Sequence, residues 1–161
     1  MTTEHSLNKE QKLQWKQELK TACIAILQQR IINAQQAMQQ AQESANSEDK
    51  SSAGDKHETA RAMSQLDRDM HAKQLEETKS ELQVINALNS ETLHDKIGIG
   101  SVAICSDYLF FISLGLGTTV INGYKVVFLS PKAPLAIQLN QKKVKDQFIF
   151  SGKLTEIIEV F

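Results

Sequence analysis

Ile24, Leu27, Ile31, Ala34, Met38, Ala41 and Ala45 recur at steps of three and four residues. No other feature limits so tightly what this chain can fold into. Side chains three and four apart share one face of an α-helix, so the row forms a single apolar seam of the coiled-coil kind. The residues around it are mostly Gln, Glu, Lys and Ala, which are good helix formers. A helix with one such stripe must bury it against a partner. The seam thins from Ile and Leu to Ala toward residue 45, and small side chains there let two helices approach closely.

The partner is legible further along the same chain. The pattern stops in "NSEDKSSAGDK", a polar stretch whose Gly54 supplies turn chemistry. Apolar periodicity resumes with Met63, Leu66 and Met70, shifts phase, and continues through Leu75, Thr78, Leu82 and Ile85. The expected arrangement is an antiparallel coiled-coil hairpin of two long helices, over 8–46 and 56–89, with a polar tip. At ~1.5 Å per residue the second helix would be about 50 Å long. Two matched helical stretches joined by a turn favour pairing within one chain, hence a monomer; a dimerising coiled coil is the alternative.

Composition changes sharply near residue 97. Before it stand one glycine, one aromatic residue (Trp15) and no proline; after it come six glycines, both prolines and eight aromatics. This divides the chain into a helical hairpin over 1–96 and a β-rich domain over 97–161. In the second part "GSVAIC", "YLFFISL", "YKVVFL", "QFIFS" and "LTEIIEV" carry the β-branched and aromatic residues of strands. Asn122-Gly123 and Ser151-Gly152 are turn signals between such runs. A short helix is expected from Pro134 to Gln141. "SLGLGTT" contains G-x-G but lacks the remainder of a dinucleotide or phosphate-loop motif, and reads as a turn. The whole is an α+β chain.

The formal net charge of −1 gives no basis for nucleic-acid binding by bulk attraction. No apolar run is long enough to span a bilayer, and no secretory leader is visible, so a soluble, cytoplasmic protein with no membrane partner is expected. Cys23 and Cys105 lie far apart in apolar contexts and read as small buried hydrophobes rather than zinc ligands. His5, His57, His71 and His94 are scattered, without a nucleophile and acid in a recognisable arrangement, and His57 and His71 are expected on solvated helix faces. The β-rich part shows no enzyme pocket signature.

One concentrated feature remains. Glu48, Asp49, Asp55 and Glu58 fall in or beside the turn. If Asp55 begins the second helix, Glu58 lies one turn on, on the same face. Such a pair serves as a helix start, with acids complementing the dipole. It also suits a hard cation such as Mg²⁺, which keeps several waters and takes only one or two protein carboxylates. Basic residues give two weaker signals: Lys12, Lys16 and Lys20 recur every four residues, and Arg61 and Arg68 share a helix face. Both sets read either as solvated charge or as contacts to RNA or an acidic protein.

Taken together, the long hairpin, the acidic tip and the small α+β domain resemble the bacterial Gre transcript-cleavage factors over essentially the whole chain. "GDKHETA" is similar to that family's G-D-x-x-E-N-A, with Gly54, Asp55, Glu58 and Ala60 matching. "APLAIQLNQKKVKDQFIF" resembles its S-P-I-A-x-A-L-x-G-K-x-V-G-D-x-V stretch. There Pro134, Ala136, Leu139, Lys142 or Lys143, Val144 and Asp146 match, allowing small gaps. Thr59 stands for the family's Asn, Arg61-Ala62 for its Glu-Tyr, and Lys145 for the Gly before Asp. The resemblance implies an FKBP-like second domain that docks on RNA polymerase, with Pro134 and Leu139 in the docking stretch. It implies a coiled coil entering the secondary channel. Asp55 and Glu58 would then help position a catalytic Mg²⁺ shared with the polymerase, beside the 3′ end of the nascent RNA, with Arg61 and Arg68 as RNA or polymerase contacts. The protein would be an accessory factor in transcription elongation rather than an enzyme. The alternatives are a non-cleaving Gre-like regulator of the polymerase, and an FKBP-like chaperone or coiled-coil interaction protein.

Overall fold

The computed structural model describes residues 6–49 and 54–161. Two long helices open the chain, α1 (Lys9–Asp49) and α2 (Gly54–Ala87). Strands β1 (Val102–Ile104), β2 (Tyr108–Ile112), β3 (Gly117–Ile121) and β4 (Tyr124–Leu129) follow, then helix α3 (Pro134–Leu139), then β5 (Gln147–Phe150), β6 (Lys153–Glu156) and β7 (Glu159–Val160). The architecture is the expected α+β one, a helical hairpin and then a sheet domain. No described helix is long and apolar enough to cross a membrane. Two compact units form: one takes the chain up to Cys23 together with Ile85–Phe161, the other Ile24–Val84.

In the unit Ile24–Val84, α1 and α2 run antiparallel. Leu27, Ala34 and Ala45 are buried on α1, with Ile31, Met38 and Ala41 half-buried between them, as the seam requires. The α2 side differs from the sequence expectation. Its inward positions are His57, Ser64, His71, Leu75, Thr78 and Leu82, all buried or half-buried. They hold one phase along the helix, and Arg68 falls in the same phase, with its Nη1 donating to Gln42 Oε1 on α1 at 2.9 Å. Met63, Leu66 and Met70 lie on another face and are 56%, 62% and 49% exposed. The phase shift read near residue 70 is therefore two different stripes, one outward and one inward. Toward the tip, α2 meets the alanine-rich end of the α1 seam with polar side chains. His57 and His71 are half-buried rather than solvated. Thr78 is buried because its hydroxyl donates to Gln74 O one turn back, at 2.8 Å.

In the other unit, the start of α1 fastens the end of α2. The last carbonyls of a helix have no partners within it, and the last turn of α2 holds no basic residue. Lys20 Nζ supplies the donors, to Asn86 O at 3.0 Å and Leu88 O at 2.7 Å. One turn earlier, Lys16 is only 1% exposed. Its Nζ donates to Thr92 O and to His94 Nδ1, the latter at 2.9 Å. An ammonium has only donors, so His94 Nδ1 accepts and the ring proton sits on Nε2. Lys12 pairs with Glu159 at 2.8 Å. The lysine row that read as solvated charge or a nucleic-acid contact is thus spent inside the fold.

The sheet has the order β3-β4-β2-β1-β7, with β2 and β4 parallel and the other pairs antiparallel. Both faces are covered, which is why "YLFFI" reads as an unbroken apolar run. On one face Ala103, Phe110, Ile112 and Val127 pack with Ala136 and Leu139 of α3 and with Phe148 of β5. On the other, Val102, Leu109, Phe111, Val126 and Phe128 are buried. The same unit brings Cys23 Sγ of α1 to 3.9 Å from Ser113 Oγ, and Trp15 edge-on to Tyr124 at 5.6 Å. Both cysteines are buried and free. Burial pushes the Cys23 thiol up to about 11 and the Cys105 thiol up to about 12. The expected turns form at Asn122-Gly123 and Ser151-Gly152, each with two successive positive φ angles, and β5 pairs with β6 across the second. "SLGLGTT" is a turn only in its first half; from Gly117 it becomes edge strand β3.

Two predictions test this packing. Leu66→Gln should change stability by less than about 0.5 kcal/mol, whereas Leu27→Ala should cost about 2–5 kcal/mol; urea unfolding of both variants decides whether Leu66 lies outside the seam. The second concerns Lys16, whose ammonium is lowered by burial from 10.5 to about 8. Between those values the unfolded chain holds a proton that the folded chain has released, so stability rises with pH through that window. His94 is lowered as well, first by burial and then by Lys16, with Asp95 opposing, and adds a rise in stability as pH climbs toward the ordinary histidine range. Cys23 and Cys105 act in the opposite sense above pH 9, because the unfolded thiols ionise first. The difference between wild type and Lys16→Met cancels the thiols, and it should grow in favour of wild type from pH 8 to pH 10.5.

Candidate functional site at the hairpin turn

α1 ends at Asp49 and α2 begins at Gly54, whose φ is +22°. Helix therefore occupies more of the polar stretch than expected, with α1 continuing past residue 46 and α2 starting before residue 56. Asp55 lies in the first turn of α2, and Glu58 follows one turn on. Residues three apart on a helix share a face with Cβ atoms about 5–6 Å from one another. Glu58 is exposed. The side chains of Glu48, Asp49 and Asp55 lie outside the described residues. Among the described residues, no group of three or more His, Cys, Asp or Glu is placed to hold a metal ion.

Arg61 is exposed on the next turn, and Arg68, also exposed, is held by Gln42 across the hairpin. The two are seven residues apart and share the flank of α2 that faces α1.

The second expected region surrounds α3. Pro134 opens the helix and is exposed, while Leu139 is wholly buried and supports α3 from beneath. Ile137, 64% exposed, is the large apolar side chain that α3 presents outward. Asn140 ends the helix, its N–H donating to Ala136 O, and Gln141 follows with φ +66°. That is the left-handed position after a helix end, usually filled by glycine. Gln141 N and Lys142 O then bond to both backbone groups of Ile97, at 2.8 and 2.9 Å. A second left-handed residue, Lys145 with φ +75°, closes a turn in which Lys143 N donates to Asp146 Oδ2 at 2.8 Å. Lys145 N donates to Ile157 O, and Ile157 N returns a bond to Asp146 O. Neither residue is a glycine, so composition gave no signal of these conformations; at Lys145 the resemblance did, by setting it in the place of a glycine.

No family model, no curated protein and no solved structure matches this chain.

A left-handed conformation costs a side-chain-bearing residue on the order of 1–2 kcal/mol, partly offset by the greater freedom that glycine has in the unfolded chain. Gln141→Gly and Lys145→Gly should each raise the unfolding free energy by about 0.5–1 kcal/mol, read from the shift in urea midpoint at constant m-value. A loss of stability in either variant would show that its side chain contributes more than the backbone costs.

Proposed function

We propose that this chain is a Gre-like accessory factor that binds RNA polymerase through its secondary channel and stimulates cleavage of backtracked RNA. The observation that carries the reading is the placement of Asp55 and Glu58 one helical turn apart, directly after the reversal of a long helical hairpin. Supporting it, Lys145, which stands where the Gre pattern has Gly before Asp, has the positive φ that glycine favours. The sheet domain would serve as the FKBP-like docking part.

In this reading the two carboxylates act on a Mg²⁺ whose remaining ligands the polymerase provides. Bound there, the ion supplies charge neutralisation and an activated water for phosphodiester hydrolysis. The chain's own residues contribute position. The helix fixes the spacing of the two residues. Arg68, held by Gln42, keeps a cation on the flank of α2 behind them.

The test is RNA length in stalled, backtracked elongation complexes given Mg²⁺ and the protein. Wild type should shorten the RNA. Asp55→Ala and Glu58→Ala should each slow cleavage on the order of 100-fold while still binding polymerase. Binding without cleavage by wild type would leave the non-cleaving regulator. Absence of polymerase binding would defeat the reading and return the chain to chaperone or coiled-coil roles.

A further inference from the structure

Three chain reversals meet at one end of the sheet domain: the β1–β2 connection, the Asn122-Gly123 turn and the Ser151-Gly152 turn. Between them lies a cleft of about 450 Å³, within the range of small-ligand sites. Tyr108, Tyr124 and Phe150 supply its aromatic surface, and Lys125, Lys153 and Asp107 its charges. Tyr108 and Phe150 pack edge to face at 4.9 Å, which makes that part of the lining rigid. Tyr124, braced by Trp15, is 40% exposed and offers a ring to the cleft. Lys125 is held with its Nζ 5.6 Å from the centre of the Tyr108 ring.

The polar groups have unspent capacity. Lys125 and Lys153 make no ion pair among the described residues, and the hydroxyls of Ser106 and Ser151 make no hydrogen bond there. Two ammonium groups against one carboxylate give the cleft a local positive charge in a chain whose net charge is −1. Unpaired cations and free hydroxyls suit an anionic group. Rigid aromatic rings beside them suit a flat one. A ligand carrying both is a nucleotide. We propose that this cleft holds one nucleotide unit of single-stranded RNA, with its phosphate at Lys125 and Lys153 and its base against Tyr124. Asp107 is the acceptor to which a ribose 2′-hydroxyl donates, which favours RNA over DNA. An acidic peptide would use the lysines but leave the aromatic surface without a flat partner. The site is independent of the hairpin turn and needs no polymerase.

The experiment is fluorescence anisotropy of a labelled uridine octanucleotide with the full chain, in the absence of polymerase and across a salt series. Stacking of one base on an aromatic ring is typically worth roughly 5- to 150-fold in affinity. Tyr124→Ala should therefore weaken binding within that range, while Tyr124→Phe keeps it within about twofold. Lys125→Gln and Lys153→Gln should each reduce the slope of log affinity against log salt by about 0.7, the single-strand value for one phosphate contact. A purely structural role for either lysine would leave that slope unmoved. The deoxyuridine octamer should bind more weakly than the RNA, and Asp107→Asn should narrow the gap. The proposal is overturned if wild type does not bind the RNA, if the lysine variants keep the wild-type slope, or if polyglutamate displaces RNA at equal charge concentration. Since no polymerase is present, failure here is separate from failure of the cleavage reading.

Discussion

The fastening of the end of α2 by Lys16 and Lys20 is the interaction on which the sheet-containing unit depends. After Ala87 the chain runs to residue 101 without helix or strand. Its backbone carbonyls there must find donors or stay in water. α2 has no base of its own in the last turn, so the donors come from α1, where steps of four residues put Lys12, Lys16 and Lys20 in one line. Burying an ammonium costs several kcal/mol unless it is fully hydrogen-bonded. Thr92 O and His94 Nδ1 take two of the three donors of Lys16 and offset part of that cost. The result fixes the register of the start of α1 against the 86–94 segment. It also sets Cys23 beside Ser113 and Trp15 beside Tyr124 on the sheet side of the same unit.

Much of this architecture was legible because local chemistry and tertiary role agree. The α1 seam is one, for its 3-4 spacing and its burial coincide from Leu27 to Ala45. The Asn-Gly and Ser-Gly turns are another, since both adopt the positive φ pair that hairpins demand. Legibility failed where a residue type has two equally good uses. A lysine row on a helix looks solvated until the carbonyls it caps are known, and those lie some seventy positions away. Met63, Leu66 and Met70 look like a seam because spacing cannot tell an inward stripe from an outward one. Strand β3 was hidden by its composition: "GTTVI" is short, mostly exposed, opens on Gly117 and follows Gly115, as an edge strand can and a turn usually does.

At the candidate site the same distinction holds. The acidic pair was visible because i,i+3 spacing survives any small error in where the helix starts. The tie between Arg68 and Gln42 was not visible, since it needs the antiparallel register of the hairpin. The left-handed backbones at Gln141 and Lys145 were hidden from composition for the opposite reason. Glycine is the signal a sequence gives for that conformation, and both positions carry side chains instead. The bonds to Ile97 and Ile157 hold those two turns closed without it. The aromatic and basic cleft was the least accessible feature of all. Its lining comes from three turns, and no local window of sequence contains as much as half of it.

Net charge misleads for a related reason. At −1 the chain as a whole gives no basis for binding nucleic acid by bulk attraction. The sum is made of unlike parts. Four acidic residues, Glu48, Asp49, Asp55 and Glu58, fall close together in the sequence, while two lysines that make no ion pair among the described residues line the cleft with a single aspartate. At physiological ionic strength exposed charges are screened over about 8 Å. A ligand in the cleft therefore responds to the groups that line it and scarcely to the total. What composition rules out is long-range attraction of a polyanion to the whole surface. It leaves open a short-range site in which a few cations act together with aromatic contact. Such a site binds weakly per nucleotide, and its salt dependence is set by the number of its lysines rather than by the charge of the protein.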